Sequence, residues 1–185
     1  MTVIYLPDSA PGPELSALAA SPASLAGKRI AVLDNGKPNA DVVMTRAAQA
    51  LAARTGATVS LITKKGPQGR SANAAIPMAD DIRDRLLAEA DIVITGAADC
   101  GSCTAYSVVD AITMERAGKP AVVVTTTKFE PIAVTLSASF GLPQTRRLVL
   151  PHPIGGTDAP TLHSWAEAAV DDLIQLFTTG TTGTG

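Results

Sequence analysis

The chain has 185 residues, 46% of them hydrophobic and only 3% aromatic, which suits one globular domain whose core is Ala, Val, Leu and Ile, as in a parallel sheet packed on Ala-rich helices. Lys and Arg number 15 against 17 Asp and Glu, a formal charge of −2 that gives no basic field for nucleic acid. No apolar run approaches a membrane span, and the first six residues lead into Pro7 and Asp8 instead of a signal-peptide pattern, so a cytoplasmic protein with no membrane partner is expected.

Residues 1–27 read as an N-terminal arm. Residues 3–6 offer a short extended segment, Pro7, Pro11, Pro13 and Pro22 break anything longer, and residues 14–20 have room for one or two helical turns. With no core of its own, the arm is expected to be mobile or to pack across the domain or a neighbouring subunit, and a homo-oligomer is expected.

A single α/β domain is expected over residues 28–177. Its first strand is the apolar run 29–33, followed by a polar turn at 34–39 and a helix over 41–55 with Val42, Val43, Ala47, Ala50 and Leu51 on one face, closed by Gly56. The second strand is 57–63. A long loop over 64–76 precedes a helix over 77–90 that carries Ile82, Leu86 and Leu87, with Pro77 in its first turn. The third strand, 92–95, leads into a cysteine loop and a helix ending at Ala117. The fourth strand is 121–125, and the helix after it, 129–140, carries Ile132, Val134, Leu136 and Ala138 and is stopped by Gly141 and Pro143. The fifth strand is 147–150. One last helix runs to Phe177 with Leu162, Trp165, Ala169, Val170, Leu173 and Ile174 at helical spacing, and residues 178–185 read as a disordered tail of Thr and Gly.

Strands alternating with helices through right-handed crossovers make a doubly wound, five-stranded, mainly parallel sheet, a flavodoxin-like or Rossmann-like three-layer sandwich of order 2-1-3-4-5. Its ligand crevice opens at the carboxyl ends of the first and third strands, where the chain reverses its direction of growth. Those ends are the turn 34–39 and the loop 97–104.

Both cysteines of the chain lie in the second of these loops, in the run Asp99-Cys100-Gly101-Ser102-Cys103-Thr104. A thiol is a good nucleophile only as its thiolate, and the first turn of a helix lowers its pKa through unpaired N–H groups and the helix dipole. Cys100 is expected where that field is strongest. Cys103, one turn later, can close onto it as a disulfide or break a mixed intermediate, while Gly101 and Ser102 keep the approach open. Inert packing by a strand end and half of a zinc site are the alternatives, and no metal or bound cofactor is expected. In a reducing cytosol the pair rests as a dithiol, so a disulfide here is catalytic or regulatory.

The same run, together with Leu33-Asp34-Asn35-Gly36-Lys37-Pro38-Asn39 upstream, resembles the small bacterial proteins named for a UGSC motif, in which U is selenocysteine. Cys100 stands at the selenocysteine position. The resemblance covers roughly residues 28–155 of this sequence. In motif logic the family is similar to the selenoprotein B components of glycine, sarcosine and betaine reductases, so the resemblance implies thiol or selenol attack on a small substrate without supplying that substrate.

The remaining candidates lie on the same edge. Asn35, Lys37 and Asn39 are expected to bind substrate, Lys37 by holding a carboxylate or stabilising the Cys100 thiolate; the plain alternative is an ordinary Asn-Gly turn. Asp34 is a turn carboxylate or a positioner. Ser102, Thr104, Thr126 and Thr127 are placed to contact substrate, although helix capping also accounts for Thr126 and Thr127. His152, held between Pro151 and Pro153, is read as an acid–base group that protonates a leaving group, and Gly155 and Gly156 let backbone amides approach an anion. His163 is read as structural, and Asp110, two helical turns beyond Cys103, as a solvated helix residue, the alternative being a group that orients something below the site. The stretch 66–69 is only loosely like a phosphate loop and carries no nucleotide expectation.

The leading expectation is a thiol-dependent enzyme of reductase type, in which Cys100 attacks a small, carboxylated electrophile and Cys103 resolves, with an external dithiol such as a thioredoxin-like reductant for turnover. The second is a lyase, transferase or hydrolase that uses Cys100 without redox change. The third is a redox-sensing or partner-binding subunit of a larger complex.

Overall fold

The computed structural model describes residues 13–64 and 74–180. The expected extended segment at 3–6 and the stretch 66–69 lie outside the described residues. The strands are β1 (Arg29–Asp34), β2 (Thr58–Thr63), β3 (Ile92–Ala98), β4 (Ala121–Thr126) and β5 (Arg146–Leu150), all parallel and ordered β2-β1-β3-β4-β5. The helices are α1 (Ala40–Thr55), α2 (Asp80–Glu89), α3 (Gly101–Arg116), α4 (Glu130–Ser139), α5 (Ala159–Ala168) and α6 (Val170–Thr179). This is a doubly wound three-layer fold.

The two sides of the sheet bury separate cores. On one, Ile30, Val32, Ile94 and Val122 pack under α1, α5 and α6 through Met44, Leu51, Leu162, Leu173 and Phe177. On the other, Ala31, Leu33, Val93 and Val123 pack under α2, α3 and α4 through Leu86, Val108, Ala111 and Ala133. The central strands therefore read as continuous apolar runs, as parallel strands covered on both faces must. Among the described residues, no helix is long and apolar enough to cross a membrane.

Several expectations are corrected. Residues 14–20 form no helix: their backbone is committed elsewhere, Ser16 N–H to the Gly141 carbonyl at 2.8 Å and Ala19 N–H to Glu115 Oε2 at 2.7 Å. The helix expected from Pro77 begins at Asp80, because the Met78 N–H is drawn to Asp110 Oδ1 at 2.7 Å. On α4 the buried face is not that of its large apolar residues. Small residues Ala133 and Ser137 go inward and allow close approach, whereas Ile132 and Val134 are 39% and 42% exposed. The last helix breaks into α5 and α6 at Ala169. Thr178 and Thr179, expected in the tail, complete α6, with their hydroxyls donating to the Ile174 and Gln175 carbonyls.

At the amino edge of the sheet a buried ion pair, Arg146–Glu115, gathers five segments: the arm, α3, β4, β5 and α6. Glu115 accepts from the Ala19 and Ala121 N–H groups, while Arg146 donates to the carbonyls of Leu176 and Ala19 and to Ser21 Oγ. A buried pair is tolerable only when its remaining donors and acceptors are satisfied in this way. Removing one partner leaves an uncompensated charge and orphaned amides, so Glu115→Ala is expected to lower stability by about 3–5 kcal/mol in urea unfolding; a loss below about 1 kcal/mol would contradict this role.

Candidate active site

β3 runs three residues further than its apolar pattern suggests, to Ala98, and its register with β4 shifts between Thr95 and Ala98. Gly96 sits in that shift with φ +149°, and a Cβ there would lie 2.8 Å from the Val124 carbonyl oxygen. Only glycine lets the two strands approach so closely at this point. The chain then turns through Asp99 into α3.

Cys100 is the N-cap of α3, and its sulfur accepts the Cys103 N–H at 3.4 Å, the bond an N-cap serine or aspartate oxygen would take. Ser102 Oγ lies 3.9 Å from the same sulfur. Thr104 turns inward and donates to the Cys100 carbonyl at 2.6 Å, and the Cys103 thiol donates to that carbonyl at 3.2 Å. Cys100 is half-buried and Cys103 fully buried, both as free thiols.

The two thiols are driven apart in acidity. Burial pushes Cys100 up, but hydrogen bonds from Cys103 and Ser102 and the positive charge of Lys37 outweigh it, and the net shift is below the ordinary thiol value. Cys103 is pushed up to about 12, first by burial and then by its hydrogen bond to Cys100 and that group's negative charge. One sulfur is favoured as thiolate and the other as thiol.

The turn after β1 comes up beside this helix end. Asp34 accepts the Gly36 N–H at 2.7 Å and closes the turn. Asn35 faces inward: its amide donates to the Ala97 carbonyl at 3.0 Å and Ser107 Oγ at 3.3 Å, and its oxygen accepts the Lys37 N–H at 3.1 Å. Its amide is spent on tying the β1 turn to the end of β3 and to α3, and its oxygen on the turn itself. Asn39, in the left-handed region at φ 66°, donates to the Ile154 and Thr157 carbonyls at 3.0 and 2.9 Å and so joins the β1 and β5 loops. The Lys37 ammonium makes no ion pair among the described residues.

Asp99 supplies the third tie, from the β3 loop to the β5 loop. Its Oδ1 meets His152 Nδ1 at 2.8 Å, and its Oδ2 accepts the N–H groups of Ile154 and Gly155 at 3.1 and 3.0 Å. The anion that the Gly155 amide approaches is thus the protein's own carboxylate. Thr126 Oγ1 lies 3.3 Å from His152 Nδ1, and the Phe129 ring packs at a tilt on the imidazole with centroids 5.7 Å apart. Thr127 is exposed, and its N–H donates to the Leu150 carbonyl; Gly156 is exposed at φ +87°.

The structure therefore brings Cys100, Cys103, Ser102, Thr104, Asn35 and Lys37 together, and holds His152, Thr126 and Gly155 around Asp99. Asp99 and Phe129 were not assigned roles from sequence, although the position of Asp99 directly before Cys100 at a strand end was a visible signal. Asp110 is not solvated. It is buried on α3, paired with buried Lys64 at 2.7 Å, and Lys64 also donates to the Ile76 carbonyl. Burial raises the Asp110 pKa against the pull of Lys64 and the Met78 N–H. His163 lines a surface groove with Val42, Thr45 and Leu61. Among the described residues, no three His, Cys, Asp or Glu side chains converge as a metal site.

Fold and site together define a doubly wound α/β protein with a helix-capping thiol at its topological switch point. The chain belongs to the UGSC family, whose family model matches residues 4–179. A search of curated proteins returned no match.

Because the Lys37 charge favours the thiolate, its removal raises the Cys100 pKa and slows alkylation at neutral pH. Iodoacetamide is expected to label Cys100 and spare Cys103 in the folded protein, and Lys37→Met to shift the pH midpoint of labelling upward. Equal labelling of both cysteines by peptide mass spectrometry, or an unmoved midpoint, would contradict the arrangement.

Proposed function

We propose that the protein is a thiol-dependent enzyme in which the Cys100 thiolate attacks an electrophilic carbon or heteroatom of a small, carboxylated molecule. The observation that carries this reading is the unequal pair of sulfurs at the N-terminus of α3: Cys100 half-exposed with its acidity raised, Cys103 buried and held as a thiol. Lys37 is the group suited to a substrate carboxylate. His152, on the same edge, is the proton donor to the leaving group.

In the reductive form, Cys100 displaces the leaving group from the substrate with its electron pair, and a bond forms between sulfur and the remaining fragment. Capping Cys100 removes the negative charge that helped hold the proton on Cys103. Cys103 then loses its proton and attacks the Cys100 sulfur. A disulfide forms, and the fragment leaves with the electron pair and takes up a proton. Two electrons pass from the two thiols to the substrate, and an external dithiol returns them.

The link between His152 and Asp99 favours a second reading, in which Cys100 is the nucleophile of a lyase, transferase or hydrolase and His152 moves protons without redox change. Mass spectrometry separates the two. With small α-substituted carboxylates as probes, the first reading expects a Cys100–Cys103 disulfide stoichiometric with product, and a Cys103→Ser variant that stalls with the fragment on Cys100. Multiple turnovers by Cys103→Ser without added dithiol support the second reading. No adduct at Cys100 from any probe would overturn both.

A further inference from the structure

Asp99 and His152 are 53 positions apart in sequence, and their contact at 2.8 Å ties the β3 loop to the β5 loop. The carboxylate is held from its other side. Oδ2 receives the Ile154 and Gly155 N–H groups, and Ile154 is fully buried, so the carboxylate plane and the edge it turns to the ring are fixed by the backbone of the loop that carries the histidine. The side chain of Asp99 is 11% exposed and that of His152 26%, so the link is covered while part of the ring reaches solvent.

We infer that Asp99 is a positioning residue for His152: it accepts the Nδ1 proton, fixes the imidazole as the Nδ1–H tautomer, and leaves Nε2 as the atom that takes and gives protons. An ionised carboxylate offers lone pairs only, so the ring nitrogen facing it must be the donor. Thr126 Oγ1, at 3.3 Å from the same nitrogen, is the competing group, since a hydroxyl can donate as well as accept. The Asp99 contact is shorter by half an ångström and is charge-assisted, so it decides the tautomer. The inference rests on reading His152 as the proton carrier. A proton taken at Nε2 then makes an imidazolium whose charge Asp99 offsets, and its transfer from Nε2 to a leaving group restores the neutral ring.

The ring-nitrogen ¹⁵N resonances of the protein, recorded with the rings neutral, read the tautomer without any substrate. The chain has two histidines, so a His163→Gln variant assigns them. Wild type is expected as Nδ1–H. In Asp99→Asn the side-chain oxygen stays with the two backbone N–H groups, the NH₂ turns to the ring, and the tautomer is expected to invert to Nε2–H; Thr126→Val is expected to leave it as Nδ1–H. A wild-type ring in the Nε2–H form, or inversion by Thr126→Val, overturns the inference even if Asp99→Asn fails to fold. Full turnover by His152→Gln with the α-substituted carboxylate probes would overturn the proton-carrier reading instead, and would leave the tautomer result standing.

Discussion

A sulfur in the place of a helix-capping oxygen is the constraint on which the rest depends. At the N-terminus of α3 the free N–H groups need an acceptor, and Cys100 meets one of them with its side chain. The donor is the backbone of Cys103, one turn on, so the geometry that stabilises charge on the first sulfur also carries the second into the core. Burial opposes ionisation at both. At Cys100 the donors and a nearby cation outweigh burial, whereas at Cys103 the backbone hydrogen bonds do not, and this asymmetry makes the motif a nucleophile with a held partner instead of two equivalent thiols.

Such a sulfur is useful only if its surroundings keep their places. The carboxyl edge is cross-tied: Asn35 joins the β1 loop to the end of β3 and to α3, Asn39 the β1 and β5 loops, and Asp99 the β3 and β5 loops. Each tie runs from a side chain to a partner far away in sequence. Beneath them Gly96 lets β3 and β4 close up, and at the opposite edge the Arg146–Glu115 pair holds the starts of β4 and β5 to the arm and to α6. The scaffold is rigid where the loops need anchors, which is the usual division of labour in doubly wound folds.

The sheet order and the two loops of the crevice were legible because a strand covered on both faces is a continuous apolar run, and alternation with helices leaves few topologies. The motif placed Cys100 correctly at a helix start for a local reason, the Gly-Ser step after a strand. What was not legible depends on partners distant in the chain. Asp110 looks solvated until Lys64 is brought beside it, and residues 14–20 look helical until Glu115 and Gly141 take their N–H groups. Asp99 is partly of this kind: its place directly before Cys100 marks it as a site residue, but nothing local marks its contact with His152. The inward turn of α4 on Ala133 and Ser137 shows the other limit: hydropathy favours the larger Ile132 and Val134, whereas close packing against the sheet and α3 selects small residues.

The account stands on unequal acidity within one pair of cysteines. Thiolate absorbance in the ultraviolet, followed against pH in the reduced protein with both cysteines present, measures it directly, and Cys103→Ser and Cys100→Ser variants assign each step. Cys100 is predicted to ionise below the ordinary thiol range, and Cys103 to stay protonated throughout the range in which the fold persists. Two thiols that titrate together at the ordinary value, or a Cys103 that ionises first, would contradict it.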